Sequence, residues 1–349
     1  MRMEDFDYEL PEELIAQTPL ADRSAARLLV LDRRSGGVRH AAVRELPELL
    51  SPGDLLVLND TRVLPVRLRA RRRTGGRVEL LFLAPDAQDP EVQWMALARP
   101  ARRLRTGEVL EVVSPSEPEA ATGVSAEVVA LVGEGQVRVR LRGARVREAM
   151  DRWGTMPLPP YIRAPLADPE RYQTVYARVE GSAAAPTAGL HFTPELLEAV
   201  RARGVGTAFL TLHVGLGTFR PVTAARPEEH RLHAEWFRLP PETAEALARH
   251  RRAGGRVVAV GTTVTRVLET QATDDGCVRP GEGWTDLYIL PGFRFRVVDG
   301  LLTNFHLPRS TLLMLVAAFA GRERVLAAYR EAVAQRYRFY SFGDAMLVL

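Results

Sequence analysis

The chain has 349 residues, 46% of them hydrophobic, and a net charge of +4 from 47 basic and 43 acidic residues. This is a globular composition long enough for one large domain or two ordinary ones, and the mild charge permits a nucleic-acid partner without demanding one. No apolar run reaches the roughly 18 residues of a membrane span, the single cysteine, Cys277, excludes an internal disulfide framework, and no secretory apolar core is visible, so a cytoplasmic location is expected.

In chain order, residues 10–15 read as a short helix with Pro11 near its first turn. Residues 27–31 and 54–58 are apolar strands, with a helical turn expected at 46–50. The second strand ends in Asn59-Asp60-Thr61-Arg62, which is polar and turn-prone. From residue 63 to 147 the texture changes to short alternating runs separated by turn signals, the pattern of a small β-barrel. Arg71, Arg72 and Arg73 stand beside the turn Thr74-Gly75-Gly76, a density that makes a phosphate-contacting surface a candidate.

A proline-stiffened segment, Met156-Pro157-Leu158-Pro159-Pro160, carries the chain onward in extended conformation. Thr187, Gly189, His191 and Phe192 precede Thr193-Pro194, an N-cap and first-turn proline for a helix over 194–200. Residues 208–212 form a buried strand that runs into His213-Val214-Gly215-Leu216-Gly217-Thr218-Phe219-Arg220. Glycines directly after a strand let a ligand approach the main chain, and His213, Thr218 and Arg220 bring a titratable group, a hydroxyl and a cation to the same place. His230, His233 and Glu235 hold three ligand-type groups, but they lack the spacing of the common zinc helix.

Residues 256–260 are another apolar strand, followed by Gly261-Thr262-Thr263 and a helix over 264–270, a combination that exposes free helix N–H groups to an anion. A strand over 286–290 and a hairpin over 293–298 are expected next. Thr303-Asn304-Phe305-His306 closes a further strand, and helices over 311–320 and 323–336 and a last strand over 346–349 complete the chain. Strands alternating with helices on both sides of the barrel-like segment indicate a three-layer α/β/α domain (residues 1–62 and 148–349) with a β-barrel domain (63–147) inserted. The polar strand ends at Asn59, His213, Gly261 and Asn304 would then meet at one rim.

The chain resembles the S-adenosylmethionine:tRNA ribosyltransferase-isomerase family nearly end to end. The resemblance is carried by Asn59-Asp60-Thr61-Arg62, Met156-Pro157-Leu158-Pro159-Pro160-Tyr161, Ala185-Pro186-Thr187-Ala188-Gly189-Leu190-His191-Phe192 and Leu212-His213-Val214-Gly215-Leu216-Gly217-Thr218-Phe219. Gly261-Thr262-Thr263, Thr303-Asn304-Phe305-His306-Leu307-Pro308 and Tyr337-Arg338-Phe339-Tyr340-Ser341-Phe342-Gly343-Asp344 complete it. It implies a cytoplasmic, monomeric enzyme of queuosine biosynthesis. Such an enzyme transfers and isomerises the ribosyl part of S-adenosylmethionine onto 7-aminomethyl-7-deazaguanine at the tRNA wobble position. Epoxyqueuosine, adenine and methionine are the products, and no metal is needed.

On that resemblance the S-adenosylmethionine site is expected to draw on Asn59, Arg62, Thr187, Gly189, His191 and Phe192. The glycine loop adds Gly215, Gly217, Thr218, Phe219 and Arg220, and His230, His233, Thr262, Thr263 and Asn304 come from later segments. The chemistry requires a base and an acid. His213, Glu235 and His306 are the candidates, with His213 favoured because a strand end fixes its geometry. Arg71, Arg72 and Arg73 are the expected tRNA contacts.

Overall fold

Leu55, Leu56, Val57 and Leu58 are consecutive apolar residues and all four are buried. Side chains alternate across a strand, so this run needs a core on each face. The computed structural model, which describes residues 1–117, 119–215, 224 and 226–349, supplies both cores.

The chain begins with β1 (Arg27–Leu31), β2 (Val38–Ala42), α1 (Leu46–Leu49), β3 (Leu55–Asn59) and β4 (Thr61–Val63). Six strands follow: β5 (Arg67–Arg72), β6 (Arg77–Pro85), β7 (Gln93–Arg99), β8 (Val109–Val113), β9 (Ala121–Gly133) and β10 (Gln136–Arg142), with α2 (Val146–Trp153) after them. Next come β11 (Val179–Ser182), α3 (Pro194–Ala202), β12 (Gly206–Leu212), β13 (Glu235–Leu239), α4 (Pro241–Arg252) and β14 (Val257–Val260). The chain ends through α5 (Thr262–Thr270), β15 (Gly281–Thr285), β16 (Gly300–Asn304), α6 (Thr311–Ala320), α7 (Arg322–Ala334) and β17 (Ala345–Val348).

Two compact units result, one of Met1–Arg62 with Pro159–Leu349 and one of Val63–Leu158. The first is built on a nine-stranded sheet in the order β15-β13-β12-β3-β14-β16-β17-β1-β2. Its centre, β12-β3-β14-β16, is parallel. Leu55 and Val57 join Leu210, Ala259 and the apolar faces of α5 and α6 in one core. Leu56 and Leu58 join Val258, Val260, Phe192 and the inner faces of α1 and α3 in the other. The result is a three-layer α/β/α arrangement.

The second unit is a closed antiparallel barrel in the order β10-β7-β6-β5-β8-β9. Alternate residues point inward, as with Val78, Leu80 and Phe82 on β6. The helix α2 adds Val146, Ala149 and Met150 to the barrel core, and the Thr155 N–H donates to the Arg67 carbonyl at 2.9 Å. Residues 148–158 therefore fold with the barrel, whereas the sequence pattern returned them to the first unit.

Three local expectations also change. Residues 10–15 form only a 3-10 turn, Glu12–Leu14. The strand expected over 286–290 lies earlier, at Gly281–Thr285, on the sheet edge beside β13. The hairpin expected over 293–298 is an irregular segment. Its N–H groups at Arg296, Val297 and Val298 donate to the Glu269 carboxylate at 2.9, 3.1 and 3.0 Å, so one side chain takes the place of a partner strand. No helix of the described residues is long and apolar enough to cross a membrane.

Candidate active site

Parallel register aligns the ends of the central strands: Leu210 lies opposite Asn59, Ala259 opposite Val57 and Val260 opposite Leu302. Open α/β sheets bind ligands beyond these carboxyl ends. A cavity of about 570 Å³ lies there, lined among others by Val214 after β12, Thr262 and Thr263 on α5, Asn304 at the end of β16 and His306 beyond it. The volume is of the size that takes a small molecule or cofactor.

Each wall follows from local sequence. Gly261 has φ 101°, a left-handed conformation that glycine adopts without strain, and it turns β14 directly into α5. The first-turn N–H groups of α5 are thereby left free of intrahelical partners. Thr263 Oγ1 is buried without a hydrogen-bond partner among the described residues. Opposite, Asn304 Oδ1 accepts from Thr187 Oγ1 at 2.8 Å, and its amide donates to the Tyr340 carbonyl at 3.1 Å.

His306 is fixed from three directions. Its ring Nε2 is 2.8 Å from Thr303 Oγ1, its N–H donates to Tyr329 Oη at 3.1 Å, and its carbonyl accepts from Tyr8 Oη at 2.5 Å. Burial pushes the imidazole down to about 3, so it is neutral at physiological pH. His191, 3.4 Å from the Asn304 amide, is likewise pushed down to about 4, first by burial and then by the nearby charges of Arg23 and Arg338.

Glu235 is buried and committed. Oε1 accepts the Gly215 N–H at 2.7 Å and Oε2 pairs with Arg266, whose guanidinium also donates to the carbonyls of Leu287 and Thr285. His213 faces away from the cavity that the next residue, Val214, lines, as expected of adjacent residues in extended chain. Its Nδ1 is 2.8 Å from Thr61 Oγ1 and its ring stacks on Trp236 with centroids 4.9 Å apart. Burial lowers its pKa, and the Asp60 carboxylate partly opposes this. A side chain at Gly181 would place Cβ 2.5 Å from His213 Nε2, so only glycine fits there.

Other expected residues are placed elsewhere. Asn59 clamps strand ends, with its amide donating to the Leu212 carbonyl and its Oδ1 accepting from the N–H groups of Leu212 and Thr61. Arg62 pairs with Glu170 at 2.6 Å. Gly189 gives way to Tyr176, whose Oη would lie 2.1 Å from a Cβ, and Phe192 is core. His230 packs edge-on against Tyr288 and His233 is exposed. With Glu235 bound to Arg266, these two histidines and that carboxylate do not form a ligand set, and no metal-type cluster occurs among the described residues. Gly217, Thr218, Phe219 and Arg220 lie outside the described residues. In the barrel, Arg71 pairs with Glu111 and Glu119 and Arg72 with Glu108, while Arg73 is exposed.

Arg266 and Tyr340 are among the cavity residues that escaped the sequence reading. Arg266 lies on a helix with no periodic signal to separate it from an exposed arginine. Tyr340 has φ 73° and a buried hydroxyl without a partner among the described residues. Strain of this kind collects at functional sites, yet nothing in a tyrosine's sequence context announces it.

The chain matches the family model described as "Queuosine biosynthesis protein" over residues 3–348. It is 51% identical to the S-adenosylmethionine:tRNA ribosyltransferase-isomerase of Natranaerobius thermophilus, covering 100% of this chain and 99% of that one. Identity to the protein of the same name from Symbiobacterium thermophilum is 53%, with 100% of both chains covered. Among solved structures, the S-adenosylmethionine tRNA ribosyltransferase of Thermotoga maritima is 40% identical over 99% of this chain and 100% of that one, with a TM-score of 0.55.

Proposed function

Because the chain belongs to the S-adenosylmethionine:tRNA ribosyltransferase-isomerase family of queuosine biosynthesis, we propose that its substrate is tRNA carrying 7-aminomethyl-7-deazaguanine at the wobble position and its product epoxyqueuosine. The enzyme is a tRNA-modifying transferase-isomerase that uses S-adenosylmethionine as a substrate. The observation that carries the finer reading is the cavity at the parallel-strand rim. It joins a helix N-terminus, a threonine hydroxyl with no partner among the described residues and a neutral histidine in one volume suited to a nucleoside.

In this reading the sulfonium acidifies the 5′ carbon of S-adenosylmethionine. A base removes a proton there, the electron pair forms a C4′–C5′ double bond as the C4′–O4′ bond breaks, and O4′ becomes a carbonyl at C1′ as adenine leaves and takes up a proton. The aminomethyl nitrogen then adds to C4′ and gives up a proton, the carbanion regenerated at C5′ adds to C1′, and the resulting alkoxide displaces methionine from C5′ to close the epoxide. His213 is the proposed base; its ring lies behind Val214, outside the cavity lining, so this reading requires the sulfonium end of the ligand to extend past Val214 to the ring. Thr61 Oγ1 donates to the Val179 carbonyl at 3.4 Å and can accept Nδ1–H of His213, which leaves Nε2 as the basic nitrogen. His306, held neutral, is suited to hydrogen bonding within the cavity rather than to proton abstraction, because its conjugate acid is too strong. Glu235 holds the entrance of the glycine loop through Gly215. The protein acts in this reading as a cytoplasmic monomer, without a metal.

The test is direct. The protein is incubated with S-adenosylmethionine and an anticodon stem-loop RNA bearing 7-aminomethyl-7-deazaguanine. Adenine and methionine should be released in equal amounts with growth of the modified nucleoside. Methyl transfer to the RNA, with S-adenosylhomocysteine as product, would overturn the reading.

A further inference from the structure

One row of aromatic side chains crosses the sheet edge beside the cavity and is not used in the chemistry above, apart from its inner member. The His213 N–H donates to the Trp236 carbonyl at 2.9 Å, and the two rings stack at 4.9 Å with planes 25° apart. Trp236 is in turn the cross-strand partner of Trp284 on the edge strand β15. Trp284 is 68% exposed, more than any other large hydrophobic residue of the described chain. The row therefore runs from a half-buried imidazole through a half-buried indole to an indole open to solvent.

The same sheet face differs from its reverse. Phe237 and Leu239, the neighbours of Trp236 on β13, turn the other way into the core. The next row on the open face carries exposed Arg238 opposite Glu282. An edge strand that shows a tryptophan to water needs a reason, since such surfaces invite association.

We propose that His213, Trp236 and Trp284 form a stacking platform for unpaired nucleobases of the tRNA substrate. The inference rests on the tRNA-modifying reading and adds to it the surface that receives the loop. Single-stranded RNA is bound by splaying bases onto aromatic side chains. A base must leave its own stack before chemistry can reach it. The platform is also continuous with the cavity through the backbone. Val214, next to His213, lines the cavity, and Glu235, next to Trp236, bonds Gly215 and the cavity residue Arg266. Val214 and Glu235 point to the cavity face and His213 and Trp236 to the other, so the platform takes loop bases that flank the reacting one rather than the reacting base itself.

The test uses the intact protein and two RNA probes, an anticodon stem-loop and a continuous duplex of the same length. Wild type should prefer the stem-loop. Trp284→Ala should weaken stem-loop binding by roughly 5- to 150-fold, the loss of about one stacked base. Duplex binding should hold, and so should the slope of log Kd against log salt, since no phosphate contact is removed. Trp284→Phe should recover most of the loss. Unchanged melting and S-adenosylmethionine binding in Trp284→Ala would show that the fold is intact. If wild type binds the stem-loop and Trp284→Ala binds it equally well, the platform is wrong while the enzymatic reading stands. A change in oligomeric state with no change in RNA affinity would also overturn it, by assigning the surface to a second copy. If wild type releases no adenine from modified RNA, the enzymatic reading fails separately.

Discussion

Glu235 and Arg266 are joined in a buried ion pair, their side chains 5% and 4% exposed, and the free oxygen of Glu235 takes the Gly215 N–H at 2.7 Å. A carboxylate on β13 thus fixes both a guanidinium in the cavity wall on α5 and the first amide of the glycine loop. Neither β13 nor α5 alone could hold that loop entrance.

Breaking the pair should be costly. Glu235→Ala leaves Arg266 buried without its counter-charge, and loss of one partner of a buried pair costs about 3–5 kcal/mol. Denaturant unfolding should show that loss, with Glu235→Gln falling between because an amide oxygen can still accept from Gly215. A change of less than about 1 kcal/mol in Glu235→Ala would mean that the pair is hydrated and not structural.

Acid should destabilise the first unit through its buried histidines. His306 and His191 are pushed down to about 3 and about 4 in the folded protein, whereas in the unfolded chain they titrate near ~6.5. Below ~6.5 the unfolded state takes up protons that the folded state refuses. Stability is therefore complete above that pH and is lost as pH falls toward 4, by up to about 1.4 kcal/mol per pH unit for each group. Unfolding midpoints measured from pH 7 to 5 should fall less steeply in His306→Gln than in wild type. Parallel slopes would show that His306 is not the group responsible.

The barrel arginines should not act alike. Arg71 and Arg72 are engaged by Glu111, Glu119 and Glu108, so Arg73 is the free cation of the three among the described residues. Arg73→Ala should lower the salt dependence of tRNA binding by about 0.7–0.9 in log–log slope. Adding Arg71→Ala and Arg72→Ala should lower it little further. A threefold larger drop in the triple variant would mean that RNA displaces the glutamates.

How much of this was legible in the sequence depended on the kind of signal. The strand-rich barrel and the alternation of strands and helices follow from periodicity, and the meeting of Asn59, Gly261 and Asn304 at one rim follows from parallel topology. The hairpin at 293–298 failed because Glu269, distant in sequence, supplies its hydrogen bonds. The histidines illustrate a second limit. Sequence placed His213 at a strand end correctly, but a one-residue alternation decides which face it takes, and the cavity received Val214 and His306. Arg266 and Tyr340 became visible only through partners that tertiary packing brings to them.

Removal of the proposed base should separate chemistry from binding. His213→Ala should keep S-adenosylmethionine affinity and reduce adenine release by about 10²-fold or more, the usual range for loss of a general base. Exchange of the 5′ hydrogens with solvent should fall in parallel. Adenine release near the wild-type rate would remove His213 from the mechanism.

The central claim is that the cavity at the ends of β12, β14 and β16 receives S-adenosylmethionine. A crystal structure of the protein grown with S-adenosylmethionine tests it most directly. Ligand density is expected between the first turn of α5 and His306, with Thr263 Oγ1 within hydrogen-bond distance of the ligand. Density at another place on the protein, with that cavity holding only water, would contradict it.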